Sequence, residues 1–136
     1  MDTTNKVYRF AEIPWHDSLL KKVAIRNDGG LYGITLIIKH STEVDISETR
    51  ISFLEVRYLT ASIDLLALQF CSGMIWDATC HEEISEELKM RLRSLPELTP
   101  EKFELTSLVV FEISLVPPSG NLLVVAKDFE LQNLND

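Results

Sequence analysis

Short stretches rich in Ile, Val, Leu and Phe, cut by Gly, Pro, Asn and Asp, recur along the chain. Within most of them apolar side chains return at every second position, the period of a strand with one buried face. The first runs from Ser18 to Arg26, with Val23 and Ile25 on one face and Lys22, Ala24 and Arg26 on the other. Asn27-Asp28-Gly29-Gly30 follows and supplies residues that accept positive φ, as tight hairpin turns require. Leu31 to His40 returns with Tyr32, Ile34, Leu36 and Ile38 on one side, completing the clearest hairpin of the first half. Ser41 to Thr49 is polar and reads as a loop. Arg50 to Leu59 has apolar residues on both faces, the mark of a central strand. Thr60 to Phe70 has Ile63, Leu66, Ala67 and Phe70 at helical spacing over a short stretch, and reads as a loop or one helical turn. Met74 to His81 predicts a strand with Met74, Trp76, Ala78 and Cys80 on one face.

One segment changes period. From Glu83 to Arg93, Ile84, Leu88 and Leu92 fall four apart, with acids near the start and Lys89, Arg91 and Arg93 near the end. That order complements a helix dipole, and Ser85 is a candidate N-cap. Pro96 stops the helix. A second hairpin then predicts strands at Leu105–Leu115 and Leu122–Leu131, turned by Pro117-Pro118-Ser119-Gly120. On the returning strand Leu123, Val125, Phe129 and Leu131 share a face. About six strands and one helix, joined by hairpins, predict a mainly β (α+β) single domain over residues 1–136. Its architecture is an antiparallel sandwich or open barrel.

Composition supports a folded core. Leu, Ile, Val and Phe number 20, 11, 9 and 6, well above the content of disordered chains. The 13 basic and 21 acidic residues give a net charge of −8, carried mostly by the second half of the chain. A field of that sign repels phosphate backbones, so nucleic acid is not an expected partner. Cys71 and Cys80 read as free thiols. The N-terminus lacks an apolar leader, and no apolar run approaches the ~20 residues that span a bilayer. The expectation is a cytoplasmic protein with no membrane contact.

Candidate chemistry is sparse. Trp15-His16-Asp17 offers a general base and a carboxylate, but neighbours on a strand point to opposite faces, so Asp17 is badly placed to orient His16. Cys80-His81-Glu82-Glu83 contains metal-ligand types without the paired spacing of a zinc site. A buried Cys80, an exposed His81 and acids at a helix start explain it without a metal. Asp64 reads as a cap for a helical turn and Asp128 as an edge charge. Phosphate-binding glycine loops, nucleophile elbows and zinc-protease motifs are absent from the sequence. No catalytic residue, metal or cofactor is assigned. His16, Asp17 and His81 remain as a candidate polar site.

Pro14-Trp15-His16-Asp17-Ser18, Pro117-Pro118-Ser119-Gly120 and Ala126-Lys127-Asp128-Phe129-Glu130-Leu131 resemble segments of small uncharacterised bacterial β-rich proteins. Some of those are similar to immunity proteins of contact-dependent and polymorphic toxin systems. The resemblance is confined to these segments and implies a small binding protein that captures a basic toxin. The first expectation is therefore a non-enzymatic protein-interaction domain, of immunity type, that meets a basic protein partner. Glu82, Glu83, Glu86 and Glu87 would be its electrostatic face. The alternative is a small-molecule or lipid-binding β-barrel carrier, its cavity lined by Met74, Trp76, Phe111 and Phe129. The third is a small enzyme using His16 or His81. A homodimer through a sheet edge is compatible with each.

Overall fold

The computed structural model describes residues 3–16, 18–28, 31–41, 46–71, 73–93, 108–117 and 119–134. Among them, β1 (Leu19–Asp28), β2 (Leu31–Ser41), β3 (Ile46–Leu54) and β8 (Asp128–Asn133) form one antiparallel sheet in the order β1-β2-β3-β8. A second sheet, ordered β4-β7-β6-β5, contains β4 (Tyr58–Ile63), β5 (Ile75–His81), β6 (Val109–Leu115) and β7 (Gly120–Ala126). Three helices accompany them: α1 (Thr3–Ala11), α2 (Leu65–Cys71) and α3 (Glu86–Arg93). The architecture is an antiparallel sandwich of two sheets, not a closed barrel. The described residues hold eight strands and three helices, against the six and one expected from the pattern.

Alternation explains the interior. Ile34, Leu36, Ile38, Ile51, Phe53 and Phe129 line the inner face of the first sheet. Ile75, Ala78, Cys80, Phe111, Ile113, Leu122, Val124 and Ala126 line that of the second. Each large apolar side chain buried here contributes about 1.5–3 kcal/mol. The Phe53 and Phe111 ring centroids lie 4.9 Å apart across the two sheets.

Two of the added strands come from sharp corners. The predicted strand Arg50–Leu59 is cut at Glu55, whose φ of 53° breaks the extended run, so β3 stays in one sheet and β4 enters the other. The predicted strand Leu122–Leu131 is cut at Lys127, the single residue between β7 and β8. The break also switches faces. Leu122, Val124 and Ala126 point inward with Phe129, whereas Leu123 and Val125 face outward beneath α3. The two corners bend together: Arg57 N–H donates to the Val125 carbonyl (2.8 Å) and Lys127 N–H to the Leu54 carbonyl (3.1 Å). A register shift between Ile75 and Asp77 likewise separates Trp76, which is exposed, from Ala78 and Cys80, which are buried.

The N-terminal helix was not legible in the pattern. α1 carries Phe10 into the gap between the sheets, where its ring meets Trp15, Phe111 and Phe129 at centroid distances of 4.7, 4.9 and 5.4 Å. Lys6, only 3 % exposed, donates from Nζ to the Lys127 carbonyl at 2.5 Å, and Arg9 donates to the Phe129 carbonyl at 3.2 Å. The helix thus closes on the β7–β8 corner. Asp64 caps α2 by accepting the Leu66 and Ala67 N–H groups, both at 3.0 Å, as its position suggested.

The inner face of the first sheet is uncovered along its outer strand β1, although it is covered along β2, where Ile34 and Leu36 are buried. Val23 and Ile25 pair with Leu36 and Ile34 and so share the inner face, yet they are 37 % and 63 % exposed.

Candidate interaction surface

α3 rests on the outer face of the second sheet. Ile84 and Leu92 are buried with Leu108, Val110 and Val125, and Leu88 is half-buried beside Tyr58 and Leu123. The four-residue spacing read from the sequence is therefore the packed face of the helix. It starts at Glu86, three residues later than expected, because Ser85 Oγ accepts the Leu88 N–H at 3.2 Å and caps it there. Glu82 and Glu83 lie in the link from β5, on either side of the anchored Ile84 from Glu86 and Glu87 in the first turn. All four carboxylates are exposed. Glu86 pairs with Lys89 at 3.3 Å. The two first-turn acids also favour the helix through its dipole, whatever else they do.

A cleft of about 340 Å³ separates α3 from β4. Leu88 and Leu123 form its apolar part, with Thr60 and Glu87 at its walls. Arg91 Nη1 donates to the Tyr58 hydroxyl at 3.3 Å across it. Neither Tyr58 nor Arg91 stood out in the sequence, since 33 residues separate them and only packing of α3 on the sheet joins them.

The candidate polar site is not assembled. His16 is exposed, its ring 5.7 Å from that of Trp76 at the start of β5. His81 ends the same strand, roughly 16 Å further along. Asp17 lies outside the described residues. His81 instead has Thr79 Oγ1 at 3.0 Å and Glu112 Oε2 at 3.5 Å. Glu112 was missed as its neighbour because only the β5–β6 register, which pairs Thr79 with Glu112, brings it there. Burial pushes the Cys80 thiol up to about 12, which disfavours its thiolate; Lys6 opposes the shift, and Glu82 and Asp128 add to it. Among the described residues no three His, Cys, Asp or Glu side chains converge as a metal-binding group. No helix there is long and apolar enough to cross a membrane. The residues expected to line a carrier cavity do not share one, since Phe111 and Phe129 pack ring against ring at 5.5 Å in the core and Trp76 is outside.

His40 continues the inner face of β2 past Ile38, at one end of the sandwich. Its Nδ1 lies 2.7 Å from Ser18 Oγ and its Nε2 3.2 Å from Thr49 Oγ1. Ser18 donates its own proton to the Pro14 carbonyl, so Nδ1–H donates to Ser18 Oγ, and Thr49 Oγ1 is the hydrogen-bond partner of Nε2. This wiring leaves Ser18 no proton to give to the imidazole. Burial lowers the His40 pKa from its usual 6.5, opposed by hydrogen bonding to the Pro14 carbonyl. The unfolded chain therefore takes up this proton at higher pH than the folded one. Stability from neutral His40 is complete above the unfolded pKa and declines as pH falls toward the folded pKa. Urea midpoints at about pH 7.5 and about pH 5 should differ, the lower pH being less stable, and His40→Gln should shrink that difference. An unchanged difference in the variant would assign the pH dependence to other groups.

Comparison of the chain with protein families, curated proteins and solved structures finds no match.

Proposed function

We propose that this chain is a non-enzymatic protein-interaction domain that receives a basic partner at the α3 end of the second sheet. The observation that carries the reading is the mounting of the acids. Glu82, Glu83, Glu86 and Glu87 flank Ile84, whose side chain is locked into the apolar cluster under α3. The charges therefore sit on an anchored segment, and holding them in place for a partner costs little additional order. The adjoining cleft supplies an apolar floor, which a charged rim needs for affinity as distinct from steering. Capture of a basic toxin, the immunity-type role that the resemblance implies, is one form of this reading.

The test is a pull-down from source lysate at low and high salt, run in parallel with the variant Glu82→Gln/Glu83→Gln/Glu86→Gln/Glu87→Gln. The expected result is a basic protein retained by the parent chain at low salt, lost at high salt, and retained about ten-fold less by the variant. Identical captured proteins with parent and variant would overturn the reading.

A further inference from the structure

We propose that the open stretch of β1 is a self-complementary edge, which pairs antiparallel with β1 of a second copy about a two-fold axis at Ile25 and joins the two four-stranded first sheets into one. β1 is an outer strand with β2 as its one strand neighbour. Its start is tied to β5, through the Leu20 N–H on the Gly73 carbonyl (2.8 Å) and the Leu19–Met74 bridge. From Lys22 to Asp28, beyond the register shift, no described strand pairs with its outer side. Alternate residues of such an edge turn N–H and C=O groups outward, where another strand can take them.

Charge selects both the occupant and the register. Lys22, Ala24, Arg26 and Asp28 occupy outer-face positions, and Val23, Ile25 and Asn27 inner-face ones. Lys21, at the shift, is already paired with Glu48. Lys and Arg on an edge deter pairing wherever they meet like charge. Side chains alternate, so two copies that keep their faces aligned pair about a residue, not between two. Centred on Ala24, Lys22 would face the second copy's Arg26, and centred on Arg26, that residue would face itself. Centring on Val23 runs into the part of the strand tied to β5. Centred on Ile25, the midpoint of the open stretch, Lys22 faces the second copy's Asp28, and the symmetry repeats the pair. Arg26, already engaged within its own chain, meets only Ala24.

The register that matches the charges also matches the apolar positions. Ile25 meets Ile25 on the axis, with Val23 next on either side along the inner face. Both are exposed in the single chain, as is Tyr32 of the neighbouring β2. Pairing sets the two apolar strips side against side, the arrangement that stabilises cross-strand neighbours. The stretch fits itself because it begins with a cation, ends with an acid and is apolar at its centre.

The test is sedimentation of the full chain over a range of concentrations. A monomer–dimer equilibrium is expected, with amide exchange at Val23–Ile25 slowing as the dimer forms. Ile25→Lys should raise the dimer Kd about ten-fold or more, since it sets ammonium against ammonium at the axis. Lys22→Asp and Asp28→Lys should each weaken the dimer about ten-fold. The double exchange Lys22→Asp/Asp28→Lys should bring the Kd back to within about three-fold of the parent, a recovery that only facing positions give. Lys22 and Ile25 are exposed, and the amide spectrum of each variant checks the fold. The four-Gln α3 variant should sediment as the parent does, so this edge stands or falls apart from the α3 reading. A monomer at every concentration, a dimer that Ile25→Lys leaves intact, or a double exchange that fails to restore what both single changes weaken would overturn the proposal. So would a monomer whose Val23–Ile25 exchange slows only with a capped octapeptide alternating Val and Thr, because the occupant would then be a different chain.

Discussion

Phe10→Ala is expected to destabilise the fold by roughly 3–5 kcal/mol, a large share of what a domain of this size has to lose. Phe10 is fully buried, and its ring touches aromatic rings from α1's own exit, from β6 and from β8. Truncation therefore removes one wall common to three partners that belong to both sheets and to the helix. The cavity cannot collapse easily, because β6 and β8 are each held by ladder pairing. Phe10→Leu, which keeps most of the volume, should cost under about 1.5 kcal/mol. Urea unfolding of the two variants against the parent measures both. A loss under about 1 kcal/mol for Phe10→Ala would mean that α1 does not belong to the cooperative core.

Gly120→Ala is the second large effect. Gly120 opens β7 opposite Ile63 of β4, with φ at 116°, a conformation that L side chains rarely adopt. A Cβ there would lie 1.8 Å from the Ser62 carbonyl oxygen and 3.1 Å from the Ile63 Cα, both backbone atoms that no rotamer can move. The β4–β7 pairing must open at that end. The expected cost is roughly 3 kcal/mol or more, combining backbone strain with displaced ladder contacts. Gly33→Ala serves as the contrast, since its Cβ meets its nearest backbone atom at an ordinary 3.6 Å. Equal midpoints for the two variants would mean that the β6–β7 turn relaxes to accept a side chain.

Much of the fold was legible because strand alternation is local. β2 shows this best: Tyr32, Ile34, Leu36 and Ile38 were read as one face, and all but Tyr32, which is 53 % exposed, are buried. α3 was legible for the same reason, its apolar spacing being the packed stripe. The corners were not. Nothing in the apolar pattern around Glu55 or Lys127 marks a change of sheet, and β7 and β8 each keep a period of two, with opposite parity. α1 was hidden because its inward positions include Lys6, whose buried ammonium is satisfied by a carbonyl 121 residues away. Of the candidate site, the four acids were read as one electrostatic face at a helix start; all four are exposed, Glu86 and Glu87 in the first turn of α3 and Glu82 and Glu83 in the link before it. The Arg91–Tyr58 contact, the His81–Glu112 pair and the His40–Ser18 network were not, since each joins residues that only tertiary packing or strand register brings together.

The β3–β8 ladder has a consequence for the order in which the structure can form. Its partners lie 74 to 84 residues apart, from Leu54↔Asp128 to Thr49↔Asn133. During synthesis the β1–β2–β3 meander is made early, and its inner side chains wait for most of the chain before β8 and Phe129 arrive to cover them. Such distant pairing places this protein among slow folders, in the millisecond-to-second range rather than microseconds. Through that interval β3 has an open side, and aggregation is then set by how fast the bend at Lys127 delivers the last strand of the sheet.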